Sequence, residues 1–162
     1  IGSILNKPFT HSHDSSSDQY MSDFWRHKPL QDMSVGEWES LCDGCGRCCL
    51  NKLEDEDTGE ILYTRASCHL LDIEQCRCTR YTQRVSEVPG CLDLREGFTQ
   101  FHWLPGTCAY RLLHEGKELP DWHPLLSGRQ ESVHAAGISV RAIAISEAEV
   151  EDIEGHVMEG YG

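Results

Sequence analysis

The sequence predicts a small α+β domain, with short helices and a β-hairpin joined by much irregular structure and packed around its cysteines. Three observations predict it. Ser34-Val-Gly-Glu37, just before Trp38 and Leu41, is a helix-start pattern. The acidic stretch from Glu54 to Gly59 followed by Ile61-Leu-Tyr-Thr64 reads as a turn feeding an extended strand. Nine cysteines stand in a chain of 162 residues whose apolar share is 39%. A core that lean gains folding free energy when a metal closes loops between distant ligands, so the fold is expected to form around a cysteine-ligated metal centre.

The length suits one domain. Residues 1–20 differ in texture, because Thr10 to Gln19 is rich in Ser, His and Asp and has no apolar periodicity. They are expected to be a disordered or non-native N-terminal extension, with Met21 as the natural start. Residues 21–162 are expected to form the cysteine-cluster metal-binding domain. His11 and His13 are read as tail residues rather than ligands.

From Met21 the elements follow in order. The capping box at Ser34 predicts a short helix through Trp38 and Leu41 that leads into the cysteines. Residues 42–49 are too rich in Gly and Cys to continue it. A hairpin is expected around Thr58-Gly59, and the acidic run before it reads as a solvated loop, not a cation site. Residues 74–88 are expected to be helical until Pro89-Gly90 stops them, and a second helix is expected from Leu92 to Phe101. Pro105-Gly106 breaks that one, and Cys108 to His114 resumes a helix ended by Gly116. Val133 to Ile145 is β-rich in places. Ser146 and Glu149 form another capping box, which predicts a C-terminal helix to about Met158.

Net charge is −13, from 27 acidic and 14 basic residues. Such a surface repels phosphate backbones, and no basic stripe offers nucleic acid a track. Anionic membrane surfaces are disfavoured for the same reason, and the longest apolar runs, such as Ile143-Ala-Ile145, are far too short to span a bilayer. No segment has the layout of a secretory signal, so a cytoplasmic protein is expected. Thiols stay reduced there, and a cysteine cluster then points to metal ligation or redox chemistry rather than disulfides.

Cys42-x2-Cys45-x2-Cys48 is the strongest signal in the chain. Two-residue gaps let the backbone wrap a centre while the intervening amides donate to thiolates. Gly44 and Gly46 sit in those gaps, where tight turns are needed. The run matches the opening of a bacterial-type iron–sulfur motif and also meets the looser demands of a thiolate zinc site. Cys49 complicates a single-ion reading, since adjacent side chains point to different sides of the backbone. Cys42, Cys45, Cys48, Cys49, Cys68, Cys76, Cys78, Cys91 and Cys108 are all candidate metal ligands. Nine thiols fit two four-thiolate centres with one left over. His69, His123 and His134 are weaker ligand candidates, read mainly as structural, and Arg47 and Arg84 are candidate charge partners for the thiolates.

Cys42-Asp-Gly-Cys-Gly-Arg-Cys-Cys49 resembles the hallmark of the YkgJ-like CxxCxxCC domain, a family labelled zinc- or iron-chelating. Cys68 and Cys78-Thr-Arg-Tyr-Thr-Gln-Arg84 match that family's later cysteine and its Cys-x-x-Tyr-x-x-Arg element. Trp103-Leu-Pro-Gly-Thr-Cys-Ala-Tyr-Arg-Leu-Leu113, Asp121-Trp-His-Pro-Leu125 and Val133-His134 are similar to its YcgN-type branch. Val85 stands where many members have Pro, and Cys91 arrives later than their next cysteine, which weakens the match at Cys91.

The residues and the resemblance together imply a metal-binding protein. An iron–sulfur cluster or mononuclear iron is favoured, with zinc as the alternative, in metal handling, electron transfer or redox sensing. A metal-dependent enzyme of unknown substrate and a structural zinc domain that meets a protein partner are the competing readings. No Gly-x-Ser-x-Gly, phosphate loop, dinucleotide fingerprint or His-Glu-x-x-His is present. The sequence leaves open whether the protein is an enzyme.

Overall fold

A computed structural model describes residues 23–95 and 97–162. The expected extension over 1–20, with His11 and His13, lies outside the described residues. The architecture is α+β, with short helices, two small sheets and long irregular connections. Among the described residues no helix is long and apolar enough to cross a membrane.

Helix α1 (Phe24–His27) and helix α2 (Val35–Ser40) open the chain. The predicted capping box is present: Ser34 Oγ accepts from Glu37 N at 3.2 Å, and Glu37 Oε2 accepts from Ser34 N at 2.8 Å. A 3-10 turn over Arg47–Cys49 then runs into strand β1 (Leu50–Glu54). Strand β2 (Ile61–Ser67) pairs with it antiparallel, Glu54 opposite Ile61 and Lys52 opposite Tyr63, with a bulge between Leu50 and Lys52. The acidic run is the solvated turn that was expected. Asp55 Oδ1 accepts from Asp57 N and Thr58 N, which caps the loop, and Gly59 takes the left-handed conformation at φ 71°.

Residues 74–88 depart from the expected helix. Strand β3 (Leu71–Asp72) and strand β4 (Arg77–Cys78) form a second small hairpin there, and only α3 (Arg84–Glu87) is helical. The turn between them is fixed by Asp72 Oδ1, which accepts from Gln75 N at 2.9 Å, and by Cys76 at φ 52°, a conformation no helix tolerates. The helix expected from Leu92 to Phe101 is also absent from the described residues. Leu92, Leu94 and Phe98 pack individually on the core from an irregular segment, and only Phe101–Trp103 winds into a 3-10 turn. Helix α4 (Ala109–His114) follows as expected, and Gly116 at φ 70° lies just beyond it.

The last third is less β-rich and less helical than its pattern suggests. Helix α5 (Pro124–Ser127), helix α6 (Ser132–Ala135) and a 3-10 turn at Val140–Ala142 fill it. Strand β5 (Ile145–Ser146) joins β2 in parallel, giving a sheet in the order β1-β2-β5. The C-terminal helix does not form. Ser146 caps only a 3-10 turn over Glu147–Glu149, because the Glu147 carboxylate is engaged by His69 and Asn51 across the sheet.

The core divides in two. One apolar cluster is helical: Trp25, Met33, Trp38, Leu41, Leu104, Ala109, Tyr110 and Leu119. The other lies on the sheets and comprises Leu50, Tyr63, Leu71, Cys76 and Val140. Leu41 is 0% exposed in the first and Leu50 is 2% exposed in the second. The cysteine loop 42–49 therefore spans the seam between the two clusters, held at both ends by buried leucines.

Candidate metal centre

The loop is shaped by its glycines. Gly44 and Gly46 both take positive φ, at 76° and 73°. A Cβ on Gly46 would meet Val140 Cγ2 at 2.8 Å, so only glycine fits where the loop crosses the Val140 turn. Val140 N donates to Cys45 O at 2.9 Å and fastens that crossing. These turns aim backbone amides at sulfur, the Gly44 amide toward Cys42 and the Arg47 amide toward Cys45, each partly opposing the rise that burial imposes on its thiol. The start of α4 does the same at Cys108 with the amides of Tyr110 and Arg111.

Burial pushes the Cys42 thiol up to about 12, with the charges of Cys48 and Asp43 adding to it. Cys45 rises well above its ordinary value for the same three reasons, and Cys108 rises by burial with Cys48 adding. Cys42 and Cys48 nevertheless keep accessible surface. Accessible sulfur that is also strongly desolvated lies in a recess, not on an open face. Cys48 is the common neighbour. The Cys49 thiol hydrogen-bonds to it and brings it down to about 7, with Lys52 assisting, while Cys49 itself is driven up. Tyr63 and Tyr110 border the recess from the two cores. Burial raises both phenols, with Cys108 and Cys48 adding at Tyr63 and Cys42 at Tyr110.

A second thiol neighbourhood adjoins the first. Cys68 N donates to Cys49 O at 2.8 Å, which sets Cys68 beside the loop. Cys78 pairs with Leu71 in the β3–β4 hairpin. Cys68 is raised by burial, then by Glu147 and Cys78; Cys91 is raised by burial, opposed by Arg84, with Cys48, Cys78 and Cys68 adding. Cys76 stands apart. Its Sγ donates to Ile73 O at 3.3 Å, it packs in the sheet-side core, and the groups acting on it most after burial are Ser139, Arg141 and Val140.

The expected charge partners are rearranged. Arg47 spends its guanidinium on Ile138 O at 2.7 Å and on the Tyr161 ring at 4.3 Å. Arg84 stacks on Tyr81 at 4.0 Å and acts on Cys91. Lys52, a residue the sequence reading passed over, is the cation that acts on Cys48. Its Nζ donates to Cys48 O and Leu50 O, both at 2.8 Å, and burial lowers it against the pull of Cys48, Cys49, Cys45 and Cys91. Its position four residues after Cys48 was the available signal. His123 is structural, as read: it is 0% exposed, with Nε2 2.9 Å from Leu41 O and Nδ1 accepting from Leu125 N at 3.1 Å, so neither nitrogen is left for a metal.

Behind Asp43 and Gly44 lies a cavity of about 80 Å³ lined by Arg77, Arg141, Glu131 and His134 among others. Asp43 Oδ1 accepts from Cys45 N at 2.9 Å, whereas Asp43 Oδ2 and His134 Nδ1 are buried without a protein partner.

Residues 41–109 match the CxxCxxCC family model, described as "Putative zinc- or iron-chelating domain". The UPF0260 protein YcgN of Salmonella newport (strain SL254) is 53% identical over 145 residues, which cover 88% of this chain and 95% of that protein. The chain belongs to the UPF0260 YcgN family. YcgN of Salmonella heidelberg (strain SL476) and of Salmonella agona (strain SL483) match at the same 53% identity and the same coverage. No solved structure matches the chain. The family match supports metal binding as the general function and spans all nine cysteines, from Cys42 to Cys108.

Proposed function

We propose that the protein holds an iron–sulfur centre on Cys42, Cys45, Cys48 and Cys108 and uses it in electron transfer or redox sensing. The observation that carries this reading is that Cys48 acts on each of Cys42, Cys45 and Cys108, that backbone amides donate to those three thiols, and that the half-buried Lys52 acts on Cys48. The donor set fits the group. All four donors are sulfur, which suits iron–sulfur clusters and zinc over harder cations. Amide donors and a nearby ammonium stabilise the net negative charge that such a centre carries. When bound, the cluster would supply one-electron chemistry; the chain's own part is to enclose it, orient its thiolates and keep water away. Cys76, which packs in the sheet-side core, takes no part.

The test is anaerobic purification followed by iron, sulfide and zinc analysis and visible absorption. Brown protein whose broad absorption bleaches with dithionite is the expected result. Colourless protein with one stoichiometric zinc would replace the electron-transfer reading with the structural zinc domain.

A metal-dependent enzyme has one feature in its favour, the cavity behind Asp43. Its two unpartnered buried atoms could accept or donate to a small polar substrate beside the metal. That reading requires small anions or amides to perturb the absorption of the metal-loaded protein, and an Arg141→Ala substitution to abolish the perturbation.

A further inference from the structure

The parallel pairing of β2 with β5 sets Ser67 opposite Ser146, so the chain leaving β2 at Cys68-His69 emerges beside Glu147. One ligand atom from each of Cys68, His69 and Glu147 lies within 4.8 Å of the other two. Glu147 Oε1 accepts from His69 N at 2.9 Å and lies 2.6 Å from His69 Nδ1. Glu147 Oε2 accepts from Asn51 Nδ2 at 2.8 Å. His69 is 53% exposed and Glu147 28% exposed at their side chains.

From this geometry we propose that Cys68, His69 and Glu147 form a second, solvent-facing metal site for a borderline divalent cation such as zinc or ferrous iron. One sulfur, one imidazole nitrogen and one carboxylate oxygen are the mixed donors such ions accept, with the fourth tetrahedral position left to water. The adjustment required is small. Two ligands about 2.1 Å from a tetrahedral ion are roughly 3.3 Å apart, so the His69–Glu147 pair opens by under about 1 Å as the ion replaces the shared proton. Asn51 serves as the outer partner that fixes the carboxylate. The exposed His69 side chain leaves this edge open to exchange with solvent.

The site stands independently of the metal in the recess, although Cys68 also borders Cys49, Cys78 and Cys91. The competing arrangement is a second all-thiolate site on those four cysteines. Cobalt(II) distinguishes them, because its visible and near-ultraviolet bands report ligand type. Full-length protein purified anaerobically is titrated with cobalt(II) alone, alongside Glu147→Gln, His69→Ala, Cys78→Ser and Cys91→Ser. The expected result is one cobalt equivalent with a single-thiolate charge-transfer intensity. Glu147→Gln and His69→Ala should each weaken it by at least about a hundredfold, beyond the loss seen for outer-shell changes, and Cys78→Ser and Cys91→Ser should leave it unchanged. Wild-type affinity in both Glu147→Gln and His69→Ala overturns the proposal, as does loss of the equivalent in Cys78→Ser. Two separate substitutions guard against one that fails to fold. Iron content of the same samples reports on the recess, so either reading can fail without the other.

Discussion

Cys42, Cys45, Cys48 and Cys108 each act on the phenol of Tyr63 or Tyr110, and desolvation is the main influence on all of them but Cys48. Cys68, Cys78 and Cys91 lie on the β3–β4 side, where Glu147, His69 and Arg84 enter their surroundings. The same residue type thus meets two chemistries within one small fold. A set of sulfur donors alone favours a soft centre that is held tightly. A half-exposed edge with nitrogen and oxygen donors favours an ion that comes and goes. The 3-10 turn over Arg47–Cys49 links the two sides, because the Cys49 thiol hydrogen-bonds to Cys48 while the Cys49 carbonyl accepts from Cys68 N.

The sharpest way to break that contrast is to remove thiols one side at a time. Cys42→Ser or Cys108→Ser should abolish bound iron, while Cys76→Ser should retain it with a modest loss of stability. Iron analysis and thermal unfolding of anaerobic samples check this. Equal loss of iron in Cys78→Ser or Cys91→Ser would move the fourth ligand to the other side of the seam.

The next effect is on pH. Burial raises Cys42 to about 12 and lifts Cys45 and Cys108 as well, so the metal-free fold keeps protons that an unfolded thiol, with a pKa of about 8.5, would lose. Stability from these thiols is therefore complete below about pH 8.5 and declines as pH rises toward the folded values. Metal-free protein should lose denaturant resistance as pH rises from about 8.5 toward about 12, whereas metal-loaded protein, whose thiolates are already deprotonated, should not. Metal binding near neutral pH should release about three protons, one each from Cys42, Cys45 and Cys108. A weakly buffered titration with a pH indicator measures them.

How much of this was legible in the sequence divides along local and non-local lines. The capping box at Ser34, the hairpin at Gly59 and the helix after Cys108 each depend on residues within a few positions, and each is present. The predicted helices over 74–88, 92–101 and 146–158 failed where distant partners intervened: Cys76 packs against Gly46 and Val140, and Glu147 is taken by His69, 78 positions earlier. Of the outer donor set, Cys68 and His69 were candidates from the sequence, but Glu147 was illegible for the same reason. His69 and Glu147 meet only because a two-residue strand pairs in parallel with β2, and no periodicity announces so short a strand.

A smaller effect tests the seam itself. Gly46→Ala would carry a Cβ into Val140 Cγ2 at 2.8 Å while holding φ near 73°. The expected cost is about 1–3 kcal/mol, with slower or incomplete iron incorporation, because the same turn aims the Arg47 amide at Cys45. Full stability with full iron content would show that the crossing does not position the recess.

The smallest effect should come from the far end of the helical core. Glu37 closes the capping box and accepts from Lys28 Nζ at 2.7 Å, and that lysine and the Ser34 amide hold its carboxyl below its ordinary value. A carboxyl lowered in the folded state contributes stability above the usual carboxylate range and loses it as pH falls through the folded value. Glu37→Gln keeps a side chain able to accept from Ser34 N but removes the charge facing Lys28 and the N-terminus of α2. Its destabilisation should be slight at neutral pH and vanish on acidification, where the wild-type carboxylate is itself protonated. Thermal unfolding of both proteins across the acid range measures the convergence. Iron content should not change, since α2 reaches the recess through Leu41, Glu39 and the Trp38–Tyr110 contact, with Tyr110 donating to Trp38 O at 2.7 Å, and not through Glu37. If Glu37→Gln lowered iron content, the helical core would be tuning the recess as well as walling it, and the two sides of the seam would not be separable.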